Sequence, residues 1–547
     1  MEVPVKPSIN LPEGLLFAQE AFNEYAETLL PEKALETLVH LHRSFNPKRM
    51  ELLSLRRARQ YAWDRGALPD YEDQTSEVVT GNWKVKPIPE DLLCRRVEIT
   101  GPVNSAKMVI NMLSRNDEGF RADMAMLDFE DSMKPSWQNV LHGIYCVKGA
   151  AERTLHYLKK GKKGASDKTY SLDPDDMAGI MVRVRGLHLR EDHVLIDNTP
   201  VSGGLFDLWM SAYYMVHEQL KHGKTPKFYI PKCEHYLEAR WWNEVLHEIE
   251  SQLEVDAGTI RTTFLIETLP AAFQIEEILF ELKDRAAGLN VGRWDKIFSD
   301  IKVLKNHPDR VMADRATINM HKYWMDNYAK RLIKICHSRG AFAIGGMSAF
   351  TPGKEAEVRE AQTAKVFADK SNEAAIGHDG CWVSHPYFIG YALKAFEHKN
   401  QLNRTLDDFE KYPDLLPISE KPRTEQGLRT NVRVGIGYMN GWNQDIGCVS
   451  WDNLMEDLAT LEISRAQTWQ WLHHEVLLDD GRKVTKELIH QLFEEELEKI
   501  LDEVREAYAG AASTQLDHVL KGFRKAAEDA QRVFTADELA DFLSEAL

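Results

Sequence analysis

The chain has 547 residues, 43% of them apolar and 28% charged, a globular balance that excludes disordered, collagenous and low-complexity classes. Its formal net charge of −17 argues against non-specific nucleic-acid binding, so an anionic substrate must be met by local cations or a metal ion. No charge-free stretch reaches the roughly 18 residues of a membrane helix, and at about 150 residues per domain the length leaves room for two to four domains.

Residues 1–92 are expected to be helical. Ala18 to Leu30 and Leu35 to His42 repeat apolar residues at three- and four-residue spacing, and no strand is expected before Cys94. The opening Met1-Glu-Val-Pro-Val-Lys-Pro lacks a basic start followed by an apolar run, so no secretion signal is expected there. From 93 to 400 short apolar runs alternate with helical stretches: Arg96–Gly101, Met124–Phe129, Ile180–Val184, Lys227–Pro231, Thr262–Ile266, Leu289–Val291, Ala341–Ile344 and Cys381–Val383. Eight such units predict an α/β chain with a (β/α)8 TIM barrel rather than an open sheet.

Residues 401–429 are polar and carry Pro413, Pro417 and Pro422, a linker signature. Residues 430–547 read as helical again. Leu488, Ile489, Leu492, Phe493, Leu497, Ile500, Leu501 and Val504 form one stripe, and Thr535-Ala-Asp-Glu538 reads as a capping box opening a final helix. The chain ends Ser544-Glu-Ala-Leu547, not in a peroxisomal tripeptide. Cys94, Cys146, Cys233, Cys336, Cys381 and Cys448 form no CxxC pair and are expected to be reduced thiols of a cytoplasmic protein.

Several common catalytic signatures are missing. There is no HExxH and no GxSxG elbow; Gly223-Lys-Thr225 lacks the upstream glycine of a phosphate loop, and Gly435-Ile-Gly437 lacks the third glycine of a dinucleotide turn. What remains is a set of acids and bases at the C-terminal ends of the predicted strands, where barrels carry their sites. The second run ends in Leu127-Asp-Phe-Glu-Asp-Ser132. Its carboxylates Asp128, Glu130 and Asp131 repel one another unless a cation or a hydrogen-bond network holds them; the alternative is a strand entering an acidic loop. The third ends in Val182-Arg-Val-Arg-Gly186. Strand alternation sends Arg183 and Arg185 to one face, where they need anionic partners unless they form a single solvent-facing ion pair.

The fifth run ends in Leu265-Ile-Glu267 and the sixth in Gly288-Leu-Asn-Val-Gly-Arg-Trp-Asp295. Glu267 and Asp295, from adjacent strands, can share one hard cation, since Mg²⁺ takes one or two protein carboxylates with waters and substrate oxygens. Gly292, just before Arg293-Trp294-Asp295, lets backbone N–H groups approach an anionic substrate. Asn453 to Gln467 reads as a helix with Asp457 in its acidic first turn, which the helix dipole favours. Gly377-His-Asp-Gly380 and His473-His474 read as a turn and a surface pair.

Together these segments resemble malate synthase of the shorter, bacterial and plant type. The likeness runs along nearly the whole chain: Ile99-Thr-Gly-Pro-Val103, the segments ending at Ser132 and Gly186, Pro200-Val-Ser-Gly-Gly-Leu-Phe206, Leu265-Ile-Glu-Thr-Leu-Pro270, Ala287 to Asp295, Gly345-Gly-Met347 and Leu454-Met-Glu-Asp457. The resemblance implies an N-terminal helical clasp (1–92), a TIM barrel (93–400), a linker (401–429) and a C-terminal helical plug (430–547) over the barrel mouth. It implies an acyltransferase of the glyoxylate cycle that joins acetyl-CoA to glyoxylate and then hydrolyses the thioester to malate and CoA.

Carried over by position, the resemblance puts Mg²⁺ on Glu267 and Asp295 and catalytic roles on Arg183 and Asp457. It puts glyoxylate against Gly292, Arg293, Trp294 and Asp295, with Arg183 and Glu267 also touching substrate, and acetyl-CoA against Ser132 and Pro386 with Cys448 nearby. Asp128, Glu130 and Asp131 are expected to organise metal-bound waters. Val184 departs from the family pattern, where proline is expected between the two arginines. The implied partners are the two substrates, without nucleic acid or membrane, for a monomer or small homo-oligomer. Lys159-Lys-Gly-Lys-Lys163 reads as a solvated loop, with contact to the CoA phosphates as the second reading.

A malyl-CoA or citramalyl-CoA lyase of the citrate lyase beta-subunit type shares the acidic strand end, the arginine and the metal acids, but releases an intact thioester. The C-terminal module bearing Leu454-Met-Glu-Asp457 favours the synthase. A catalytically silent acidic scaffold leaves the coincidence of Arg183, Glu267, Asp295 and Asp457 unexplained.

Overall fold

The computed structural model describes residues 10–18, 21–161, 166–510 and 512–546. Eight parallel strands close a barrel in chain order: β1 (Val97–Pro102), β2 (Met124–Asp128), β3 (Gly179–Arg183), β4 (Lys227–Ile230), β5 (Arg261–Ile266), β6 (Ala286–Val291), β7 (Phe342–Ser348) and β8 (Gly380–Val383), with β8 returning to β1. Every expected apolar run overlaps one of these strands, several of them running one residue past its end. The sixth begins earlier than its apolar run, at Ala286, and the seventh extends to Ser348.

Alternation along the strands sorts two cores. Met124, Met126, Met181, Tyr229, Leu265, Phe342, Ile344 and Trp382 fill the barrel interior, while Ala125, Leu127, Ile180, Val182, Phe264 and Ile266 face the surrounding helices. The interior also holds one charged network. Glu98 accepts from Arg95 Nε at 2.6 Å, from Trp382 Nε1 at 3.0 Å and from the Tyr229 hydroxyl, so its buried carboxylate is satisfied.

The long N-terminal helix α1 (Glu32–Trp63) clamps the barrel flank through two buried arginines. Arg56 grips Glu238 with both arms of its guanidinium at 2.8 and 2.6 Å, and Arg49 donates to the carbonyls of Leu187, His188 and Leu189. The helix after β6 is α2 (Arg293–Val303). Beyond the barrel lie α3 (Glu425–Trp442), α4 (Leu458–His473), α5 (Lys486–Ala507) and α6 (Ser513–Phe534), a bundle whose core includes Ile436, Leu461, Leu492, Phe493, Ile500 and Phe534. Helix α4 packs along α2 and thereby carries the bundle to the C-terminal ends of the strands. Among the described residues no helix is long and apolar enough to cross a membrane.

Three local expectations are corrected. Of the described residues in Ala18–Leu30 only Glu24–Leu29 is helical, and Leu15–Phe17 before it is a strand paired antiparallel with Arg190–Ile196. That partner is remote in sequence, so nothing local announces the pairing. Two surface hairpins (His156–Lys159 with Lys168–Ser171, and Arg190–Ile196 with Thr199–Ser202) interrupt the β/α alternation. The first is almost wholly exposed and lacks the apolar rhythm of a half-buried strand. Of the lysine run beside it, Lys162 and Lys163 lie outside the described residues.

The proline-bearing segment is held against the barrel. Leu415 is fully buried, the Pro413 carbonyl accepts from Tyr71 at 2.5 Å, and the Lys411 carbonyl accepts from Arg331 at 3.0 Å. Thr535 opens no helix. Its hydroxyl donates back to the Gln531 carbonyl at 2.9 Å, which makes it the C-terminal cap of α6, and the short final helix starts at Leu543.

Candidate active site

Strand β2 delivers Asp128 to the barrel rim, fully buried. Its carboxylate accepts the N–H groups of Glu130 at 2.9 Å and Ser132 at 3.0 Å and the Ser132 hydroxyl at 2.5 Å, which folds the acidic loop back on itself. The neighbouring β3 ends at Arg183, in register with Asp128. Arg183 Nε and Nη2 each meet one Asp128 oxygen at 2.6 Å, a two-point charged clamp that fixes the guanidinium plane. The third nitrogen, Nη1, lies 3.4 Å from Asp131, and the guanidinium stands 5.6 Å from the centre of the Trp382 ring.

The expected pairing of Arg183 with Arg185 on one face is corrected. Strand β3 stops at Arg183, so alternation no longer governs the next turn. Arg185 points instead into a buried ion group with Asp207 at 2.8 Å and Glu191 at 2.8 Å.

Strands β5 and β6 supply the next two acids. Glu267 follows β5; its Oε1 accepts the Lys232 backbone N–H at 2.8 Å, while its buried Oε2 has no hydrogen-bond partner. Asp295 lies in the first turn of α2, whose N-cap is Gly292. A Cβ on Gly292 would lie 2.7 Å from Glu267 Cβ and 2.9 Å from its Oε2, so the close approach of the two segments requires glycine. The Gly292 N–H itself points to the Tyr328 hydroxyl at 3.1 Å. No side chain caps α2, and its first-turn N–H groups at Arg293, Trp294 and Asp295 are the donors left for an anion.

The sequence reading missed Lys232, two residues past the end of β4. Its ammonium lies 2.8 Å from both Asp131 and Asp295, 3.2 Å from Glu130 and 3.6 Å from Glu267. Burial by itself would lower its pKa; the carboxylates of Asp131, Asp295, Glu130 and Glu267 override that and hold it well above the usual lysine range. The available signal was a charge at a barrel-strand end, the same one that singled out Glu267.

Asp457 does not sit inside a helix, as its acidic surroundings suggested. Leu454–Glu456 is a short strand paired with Val449–Trp451, and Asp457 is the N-cap of α4. Its Oδ1 accepts the Thr460 N–H at 3.3 Å, and the Thr460 hydroxyl accepts the Asp457 N–H at 3.0 Å, a reciprocal capping box. Burial, and then the nearby Asp131 charge, push this carboxyl up to about 7, against the opposing pull of Arg183. Such a value suits a general base at neutral pH.

Arg183, Asp457, Glu267, Asp295, Arg293 and Trp294 line one cavity, whose apolar wall includes Met108, Met347, Trp382 and Met455. Ser132 and Cys448 also line it, although the Ser132 hydroxyl is committed to Asp128 and burial pushes the Cys448 thiol up to about 12. Pro386 is not among the lining residues. It opens a short turn past β8 with its carbonyl accepting from Asn116 at 3.0 Å, and Ser384 reaches the cavity instead.

Asp128 is occupied by Arg183 and Ser132, and Glu130 and Asp131 by Lys232. Burial and then the Asp131 charge raise Glu130, while Lys232 and Arg183 outweigh burial and keep Asp131 low. Among the described residues no group of three or more His, Cys, Asp or Glu side chains has metal-binding geometry. Two carboxylates, one with an unpartnered buried oxygen, nonetheless fit a Mg²⁺ ion that completes its shell with water and substrate oxygens.

Three family models match the chain: "Malate synthase, N-terminal domain" over residues 16–77, "Malate synthase, TIM barrel domain" over 179–415 and "Malate synthase, C-terminal" over 422–547. The malate synthase of Myxococcus xanthus is 43% identical over 527 residues, covering 95% of this chain and 93% of the relative. Malate synthase A of Escherichia coli is 42% identical over 530 residues, covering 96% of each. The glyoxysomal malate synthase of Brassica napus is 39% identical over 541 residues, covering 96% of this chain and 92% of the relative.

Proposed function

The chain belongs to the malate synthase family, transferases that condense acetyl-CoA with glyoxylate, and we propose that Arg183, Asp457, Glu267 and Asp295 carry that reaction here with Mg²⁺ as cofactor. The observation that carries the residue assignment is the cavity itself. Residues from β3, from the ends of β5 and β6 and from the start of α4 line one space, with a carboxyl near neutrality opposite a clamped guanidinium.

In this reading Asp457 removes a proton from the acetyl methyl group, a very weak carbon acid. Arg183 donates to the enolate oxygen as negative charge develops there, and its two-point clamp on Asp128 means it need not reorganise at that moment. The first-turn N–H groups of α2 receive the glyoxylate carboxylate. When held by Glu267 and Asp295, Mg²⁺ supplies Lewis-acid polarisation of the aldehyde. The enolate carbon then joins the aldehyde carbon, the opened carbonyl oxygen takes up a proton in balance with the one Asp457 removed, and water cleaves the resulting thioester to malate and free CoA. All six cysteines are unpaired, and we place the protein in the cytoplasm.

The test is thiol release from acetyl-CoA and glyoxylate, with Mg²⁺ present and then chelated, against a no-substrate control for the protein's own thiols. Release that needs both glyoxylate and Mg²⁺, with malate formed in equal amount, supports the reading. An intact thioester product, or no release by folded protein, refutes it.

Arg183→Lys is expected to lower kcat/KM by about 100-fold or more, as for loss of one oxyanion donor. The point charge survives, but one ammonium cannot meet both Asp128 oxygens in the plane that the guanidinium holds. Steady-state thiol release checks this, and a loss below tenfold would show that charge alone suffices.

A further inference from the structure

Lys232 takes no part in the steps above, yet it lies at the centre of the site's charge. Its ammonium is within 2.8 Å of Asp131 and of Asp295, 3.2 Å of Glu130 and 3.6 Å of Glu267, and its side chain is 6% exposed. Its backbone N–H separately fixes Glu267 Oε1 at 2.8 Å, which leaves Glu267 Oε2 without a partner. The residue does both from a left-handed conformation, φ +54°, that side-chain-bearing residues seldom adopt. The other cation at the cluster, Arg183, has its two short contacts on Asp128. Its third nitrogen reaches Asp131 and Glu130 only at 3.4 and 3.6 Å, so two cations face the five carboxylates Asp128, Glu130, Asp131, Glu267 and Asp295, a deficit of positive charge that a divalent ion would fill.

We propose that Lys232 is a resident cation that holds Asp131, Asp295 and Glu267 together while the metal ion is absent, yields Asp295 when the metal binds, and so sets the metal affinity of the site. The proposal rests on the reading of Glu267 and Asp295 as the metal's ligands. Two cations cannot share the Asp295 carboxylate at contact distance without strong repulsion in a buried site. The ammonium nevertheless has somewhere to go. Asp131 and Glu130, at 2.8 and 3.2 Å, face it from the β2 loop, so yielding Asp295 requires only a tilt of the side chain. Metal binding is then an exchange of one cation for another, and Lys232 is a positioning residue that acts through Asp295 and Glu267.

Simple damage to the site and removal of a competing cation move Mg²⁺ affinity in opposite directions. Mg²⁺ titrated calorimetrically into the full chain is expected to bind Lys232→Met at least about tenfold more tightly than wild type, and Lys232→Arg, which keeps the charge, within about threefold of wild type. Thermal unfolding in EDTA is expected at a lower temperature for Lys232→Met than for wild type, with Mg²⁺ restoring the difference. Lys232→Gln carries the same expectations and serves where the methionine variant does not fold. A variant that folds only with Mg²⁺ supports the proposal.

Equal or weaker Mg²⁺ binding by the neutral variants overturns it. So does failure of both to fold even with Mg²⁺, because the metal would then not replace the lysine's charge. Wild type that binds no Mg²⁺ overturns the metal-ligand reading along with it, whereas normal wild-type binding without tightening in the variants overturns the Lys232 assignment alone.

Discussion

Asp457→Asn is expected to reduce turnover by about 10³-fold, within the range for loss of a positioned general base, while Mg²⁺ and glyoxylate binding stay within about twofold of wild type. The substitution isolates the chemistry because asparagine caps a helix about as well as aspartate, so the Thr460 N–H keeps an acceptor and α4 keeps its start. An alanine there would remove the cap as well and confound the result. Stopped-flow or steady-state thiol release, set beside calorimetric titration of glyoxylate with Mg²⁺, makes the comparison; activity within tenfold of wild type would rule out Asp457 as the base.

The same residue sets a pH dependence. Because the base works only when ionised, kcat/KM should rise with pH through about 7, where burial and Asp131 have pushed the Asp457 carboxyl in the free enzyme, and level off above it. The stability effect has the opposite sign. Between the ordinary aspartate range and about 7 the folded protein holds a proton at Asp457 that the unfolded chain has already lost. Its contribution to stability therefore falls as pH rises through that window. In Asp457→Asn the activity slope should vanish and the stability slope should shrink by this carboxyl's share, because Asp300 and Glu373 are also held high in the fold; unfolding midpoints of both proteins across the window test the second.

Asp295→Ala is expected to weaken Mg²⁺ binding by about 100-fold or more and to abolish Mg²⁺-dependent glyoxylate binding. The site offers two carboxylates to a hard ion that relies on charge, and the alanine leaves only Glu267. The variant should still fold. Asp295 is buried at the free N–H end of α2, where an acid contributes up to ~2 kcal/mol through the helix dipole, and the freed Lys232 ammonium retains Asp131 at 2.8 Å. Unchanged Mg²⁺ or glyoxylate affinity in calorimetry would contradict the metal assignment. This variant and Lys232→Met are expected to shift Mg²⁺ affinity in opposite directions, though the two side chains touch.

How much of this was legible in the chain depended on the range of the interaction that decided each feature. The eight barrel strands could be read because a parallel sheet covered on both faces demands short uninterrupted apolar runs, a property each segment carries by itself. The acids at the strand ends could be read for a related reason: a barrel puts its site where its strands stop, so Asp128, Glu267 and Asp295 were marked by position. Arg185 was misplaced because one residue decides where a strand stops, and β3 stops at Arg183. Asp457 was taken into a helix because Leu454–Glu456 carries no local mark of a strand; its pairing with Val449–Trp451 made Asp457 a cap instead of a first-turn acid. Thr535 shows the reverse error, a capping pattern whose threonine instead closes the preceding helix, with backbone N–H and hydroxyl both on the Gln531 carbonyl.

The amino-acid order by itself determined the β/α alternation, the helical regions on either side of it and the kinds of group available for chemistry, because these follow from side-chain period and residue type. Only the tertiary structure decided what those groups do to one another. The Arg183 guanidinium is oriented by Asp128, the Asp457 carboxyl is raised by burial and by Asp131, and Lys232 gathers acids from three strand ends. Charge interactions fall with distance through space and strengthen as water is excluded, and neither quantity is written in the separation of residues along the chain.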